Sequence, residues 1–218
     1  MGLLDDLKKQ ADVVKSQQLS QQSMLQESIK LVEAKMQQTF LYLNDLLKQL
    51  AVLRPTNPTA YSIPGVGDLQ NLGFAESFID YRKKKIGDKD HYDFITFFIK
   101  WASPGSLTLE RDMPAAIQKV RDVLWSFNLK FTEEEIKKPG RGFQKMIFTV
   151  PNSITCDITI TADHNNGGLV VKGKHFLRLG MDELRIPAGD VNEALLEEFA
   201  KMLIGQPSAM RKYRAATL

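Results

Sequence analysis

Three histidines, one cysteine and a few clusters of acidic and basic side chains are the residues of this chain that could do chemistry. His91 and His164 fall at predicted turns and His175 between two predicted strands. None forms the helical i,i+4 pair or the close grouping that a zinc site needs. Asp88, Asp90, His91 and Asp93 make the densest ligand-capable cluster. They sit at the tip of a predicted hairpin, where acidic residues serve turn formation in water, so no metal is expected there. Cys156 alternates with Ile154, Ile158 and Ile160, the pattern of a buried core thiol and not of a nucleophile in a basic, partly open setting. No serine lies in a Gly-x-Ser-x-Gly elbow. Gly65-Val66-Gly67 lacks the following Lys-Ser/Thr of a phosphate loop. Glu133, Glu134 and Glu135 are consecutive and cannot all enter one cleft. With no nucleophile or metal group paired to a base, the expectation is a non-enzymatic protein without a cofactor.

Two further groups could bind rather than react. Arg82-Lys83-Lys84-Lys85 is a candidate anion-binding run, and Lys137, Lys138, Arg141, Lys145, Lys172, Lys174, Arg178, Arg211, Lys212 and Arg214 would extend it if the fold gathered them on one face. A net charge of +3 is mild, and no aromatic-plus-basic sheet motif accompanies it, so nucleic acid is not the expected partner. Phe94, Phe98 and Trp101 are candidates to line an apolar small-molecule pocket.

These residues must be held by elements that the pattern of apolar residues predicts. Residues 1–54 contain no proline and no glycine after Gly2. They read as one long helix, or as two divided at the polar stretch 16–23. Leu4, Leu7, Ala11, Val14, Gln18, Gln21 and Leu25 step by threes and fours. Ile29, Val32, Met36, Thr39, Leu43, Leu46, Leu50 and Leu53 continue the rhythm after one stutter. This is coiled-coil spacing, and seven basic and six acidic residues lace the segment with both signs. Ile29, Val32, Met36, Leu43, Leu46 and Leu50 are the expected oligomerisation residues. From Phe40 onward the stripe broadens, which predicts either several partner helices or docking on the protein's own sheet.

Residues 55–68, with Pro55, Pro58, Pro64, Gly65 and Gly67, are expected to be a hinge. From 69 to 205 the period becomes two, broken by two helices. Strands are predicted at 74–85, 92–102, 106–110, 129–137, 143–150, 154–161, 169–174 and 176–186. Asp112 and Asp190 are the expected helix caps, and Asn128 and Gly205 the stops. The strand at 92–102 carries Ile95, Phe97, Ile99 and Trp101 on one face and Tyr92, Phe94 and Phe98 on the other. Both faces therefore need cover. Residues 206–218 read as a basic flexible tail.

The sequence thus predicts an α+β protein: a long, coiled-coil-like N-terminal helix, then a meandering antiparallel sheet with two amphipathic helices. A hydrophobic content of 43% and a charged content of 25% suit a globular chain. The lone cysteine forms no internal disulfide and predicts a reducing, cytoplasmic setting. No signal peptide or membrane span is expected. The leading function is a self-assembling scaffold or adaptor that oligomerises through its helix and presents the α+β domain to another protein. The alternatives are an apolar pocket protein and an electrostatic nucleic-acid binder.

Overall fold

A computed structural model describes residues 3–140 and 142–215, with side chains for residue 12 and from 14 onward. Leu4, Leu7, Ala11, Arg141 and residues 216–218, singled out above, lie outside those described side chains. The polar stretch at 16–23 does not interrupt the first helix, because glutamine is a good helix former and needs no buried face. α1 runs unbroken over Leu3–Leu53. It ends where Arg54 turns to φ 46° ahead of Pro55.

The segment expected as a hinge contains three short strands: β1 (Thr56–Asn57), β2 (Tyr61–Ile63) and β3 (Gly67–Leu69). β2 pairs with β3, while β1 joins the main sheet by pairing with β4 (Leu72–Ile86). β4 is followed by β5 (Lys89–Arg111), α2 (Pro114–Ser126), β6 (Thr132–Lys138), β7 (Gly142–Asp163), β8 (Gly168–Lys174), β9 (Met181–Pro187) and α3 (Glu193–Leu203). Among the described residues, seven strands form one antiparallel sheet in the order β1-β4-β5-β7-β8-β9, with β6 beside the first half of β7.

Two strands are longer than their sequence suggests. The predicted strands at 92–102 and 106–110 are one strand, β5, because Pro104-Gly105 makes a bulge and not a reversal. Ala102 faces Ser153 and Ser106 faces Pro151, so residues 103–105 bow out opposite Asn152 alone. Gly105, at φ 95°, supplies the left-handed step this requires. Pro151 sits in the partner strand at the same place, where a missing N–H is tolerated, and the stretches 143–150 and 154–161 merge into β7. The bulge divides the sheet. On one side, β4, β5, β7, β8 and β9 support α1 and α3; on the other, β5, β7 and β6 support α2.

Conversely, the expected strand at 176–186 begins only at Met181. His175 at φ 60° and Gly180 at φ 109° close a loop in which the His175 N–H donates to the Gly180 carbonyl at 2.8 Å. Both expected caps move along the chain. Met113 stands at the N-cap of α2 without a side-chain bond, and Pro114 takes the first turn. A single turn of 3-10 helix at Ala188–Asp190 delays α3, whose cap is Asn192, its Oδ1 accepting the Leu195 N–H at 2.9 Å. The predicted stops hold: Asn128 has φ 53° and Gly205 φ 77°.

The tail expected to be flexible folds back as far as it is described. Ala209–Tyr213 forms a 3-10 turn, Met210 is fully buried, and the Ala215 N–H donates to the Glu183 carbonyl at 2.9 Å. Asp182, only 1% exposed, holds Arg214 at 2.6 Å and Arg178 at 3.3 Å. A carboxylate so buried persists only because two guanidinium groups compensate it.

Candidate assembly surface

The second half of α1 lies across the inner face of the sheet and touches β4, β5, β7, β8 and α3. Val32, Met36, Thr39, Leu43, Leu47 and Leu50 are its buried stripe, at the three-and-four spacing of one helix face. Beneath them lie Ile95, Phe97, Ile99 and Trp101 of β5 and Ile154, Cys156, Ile158 and Ile160 of β7, all buried in the same core. Phe40 meets Tyr81 edge-on with ring centroids 4.7 Å apart, and Phe97 meets Phe199 of α3 at 6.5 Å. Each fully buried side chain contributes about 1.5–3 kcal/mol. The stripe is therefore satisfied in cis.

The residues expected to join copies together are thereby covered by the chain's own sheet. Val32, Met36, Leu43 and Leu50 are buried in the chain's own core, and Ile29 and Leu46 are half-buried. They are not a free surface in the folded protein. A sheet face made of β-branched and aromatic residues needs a cover, and a helix tethered by a short connection reaches it at far higher effective concentration than a second chain can.

A polar latch marks where the helix leaves the sheet. Ser28 Oγ donates to the His164 carbonyl at 2.8 Å. Glu33 Oε2 accepts the Tyr92 N–H at 2.7 Å and lies 3.5 Å from His91 Nδ1. His164 Nε2 donates to the Tyr92 carbonyl at 3.0 Å, and its ring stands 6.0 Å from that of His91. Before the latch, residue 12 and residues 14–27 are all exposed. The helix from 14 to 27 therefore overhangs the sheet by about 21 Å at 1.5 Å per residue. Val14, Leu19, Met24 and Leu25 are 51%, 68%, 59% and 41% exposed on this overhang.

The other candidates are dispersed. Arg82, Lys83, Lys84 and Lys85 alternate along the end of β4, and the first three are individually engaged. Lys84 pairs with Asp93 at 2.8 Å, Lys83 lies 4.8 Å from the centre of the Tyr92 ring, and Arg82 lies 5.9 Å from that of Phe94. Phe94 and Phe98 are on the outer face of the sheet, whereas Trp101 is fully buried on the inner face; the three do not line one pocket. The apolar interstice among Thr39, Ile160, Val171, Leu195 and Phe199 measures ≈ 20 Å³, room for about one water and not for a lipid. Asp88, Asp90, His91 and Asp93 diverge, and among the described residues no group of three His, Cys, Asp or Glu side chains is placed to hold a metal.

Cys156 is buried. Its Sγ donates to the His175 carbonyl at 2.9 Å and stands 3.8 Å from the Tyr61 hydroxyl. Burial pushes the thiol up to about 12 and also raises Tyr61 well above the ordinary phenol range. His175 Nδ1 accepts the Gly180 N–H at 3.0 Å. Burial lowers its pKa, with the Phe127 carbonyl opposing that shift. Such a group stays neutral and ties the loop to the end of α2.

Sequence reasoning missed the latch. Ser28, Glu33, His91 and His164 are separated by up to 136 positions, and only the register of β5 and β7 brings them together. Among the described residues no helix is long and apolar enough to cross a membrane. Searches of protein-family models, curated proteins and solved structures found no match to this chain.

Proposed function

We propose that this protein is a self-assembling scaffold whose copies join through the overhanging first half of α1, leaving the α+β body free to meet another protein. One observation carries the reading: α1 continues unbroken for about 25 residues before Ser28, residues 14–27 of it are exposed, and a helix of that length is marginal alone in water. In the sequence, Leu4, Leu7, Ala11, Val14, Gln18, Gln21 and Leu25 recur at the spacing of a coiled-coil seam. Gln18 and Gln21 at seam positions set register and partner number at some cost in stability. The occupant is a second copy. Lys8, Lys9 and Lys15 are nearly balanced by Asp5, Asp6, Asp12 and Glu27, so one overhang offers both signs of charge to another, whereas a strongly charged foreign partner would find no single-sign face.

Light scattering on the intact chain tests the reading beside a chain that lacks residues 1–26. The intact chain is expected to give a multiple of the monomer mass, and the shortened chain the monomer mass with an unchanged circular dichroism melt of its sheet. A monomeric intact chain at about 100 µM, where even weak coiled-coil pairing is populated, would refute it.

A further inference from the structure

The bulge in β5 makes more than a bend. On the outer face of the sheet, opposite α1, it opens a groove of ≈ 690 Å³ between the β5–β7 pair, the α2–β6 connection and the end of β8. We propose that this groove binds a small organic anion that carries a planar ring with an N–H or O–H donor, of roughly mononucleotide size. The volume falls within the range of small-molecule sites.

Strand register places the lining. Lys100 stands opposite Glu76 on β4 and Thr155 on β7, while Phe98 stands opposite Asp157, which in turn faces Lys174. Lys130 enters from the α2–β6 connection. Lys100, Lys130 and Lys174 each lack an ion-pair partner within 4 Å among the described residues, in contrast to Lys84, Lys145, Lys172 and Lys201. Three ammonium groups against the two carboxylates of Glu76 and Asp157 leave the groove with an excess of positive charge. That is the field a phosphate or carboxylate meets favourably in a partly enclosed site.

Two further features ask for a ring. Phe98 is half-buried in the groove and braced from behind by Phe78, its ring nearly parallel at 6.3 Å and 28°; its remaining face is a stacking platform. Asn152, the one residue opposite the bulge, has a buried Oδ1 without any hydrogen-bond partner, and its Nδ2 makes only a long bond of 3.4 Å to the Pro104 carbonyl. An orphaned buried acceptor is costly. A turn of the Asn152 side chain toward the groove would let a donor on a bound ring satisfy it. The site is independent of the overhang, because it lies on the other face of the sheet.

The test is an ¹⁵N NMR titration of the full-length chain with AMP, adenosine and inorganic phosphate. AMP is expected to give saturable shifts at Phe98, Asn128–Lys130, Asn152 and Lys174, with adenosine and phosphate each about tenfold weaker or more. The pair Lys100→Ala with Lys174→Ala is expected to weaken AMP by about tenfold or more, and Asn152→Ala by several-fold, with the overlaid spectrum showing an intact fold. If Asn152→Ala disturbs the bulge, the lysine pair alone decides the matter. Absence of saturation up to about 10 mM AMP, shifts that ignore these substitutions, or phosphate alone matching AMP would overturn the proposal.

Discussion

His175 and Asp182 show how single residues close this fold, and both make predictions. A depressed histidine pKa means that the stability it contributes is whole above its unfolded value of about 6.5 and is lost as pH falls through the folded value. The urea midpoint is therefore expected to fall between about pH 7 and pH 5, and His175→Asn, which tolerates the same left-handed backbone, to flatten that fall; an unchanged profile in the variant would contradict the assignment. Arg214→Met removes the closer of two cations from a carboxylate that is 1% exposed. It is expected to cost about 1–3 kcal/mol and to open the C-terminal segment to limited proteolysis, read by mass spectrometry. Neither role was legible in advance. His175 was visible as a histidine between strands, but its buried, neutral state depends on the Gly180 loop closing over it. Arg214 read as a tail charge because nothing local marks Asp182, over thirty positions earlier, as buried. Cys156 was legible, since alternation with isoleucines placed it in the core directly, and thiol reagents are expected to label it only on unfolding.

At the level of elements, the two halves of α1 answer differently to the same kind of change. Leu43 is fully buried, so Leu43→Asp is expected to cost about 4 kcal/mol or more and to unfold the chain in a thermal melt. Leu25 is 41% exposed on the overhang. Leu25→Asp is expected to leave the melt within about 0.5 kcal/mol of the parent while lowering the assembled mass. Equal effects of the two changes would mean that the overhang is not a separate surface. The broadening of the stripe after Phe40 had left docking on the sheet and several partner helices both open, and the heptad spacing had suggested a seam; what the pattern did not divide was which residues dock and which the proposed assembly would use. Both uses demand the same period, and only the edge of the sheet sets the boundary, at Ser28. The bulge escaped prediction for a similar reason. Pro-Gly between two apolar runs suits a hairpin turn as well as a strand bend, and the choice is made by Pro151 and Asn152 on a strand nearly 50 positions away.

For the whole molecule, one antiparallel sheet is covered on its inner face by helices from both ends of the described chain, and its outer face is left open, cationic at the bulge and aromatic where Phe78, Phe94 and Phe98 stand. The α+β class, the two amphipathic helices and most strands were readable from periodicity, because each element carries its own apolar rhythm. The layering was not, because it depends on which faces meet. A folded body with a projecting helix is the geometry on which the proposed assembly rests. Sedimentation velocity on the intact chain across a concentration series, beside the chain lacking residues 1–26, measures that most directly. The account predicts a concentration-dependent assembly for the first and a compact monomer for the second. A single compact monomer for both, at every concentration, would contradict it.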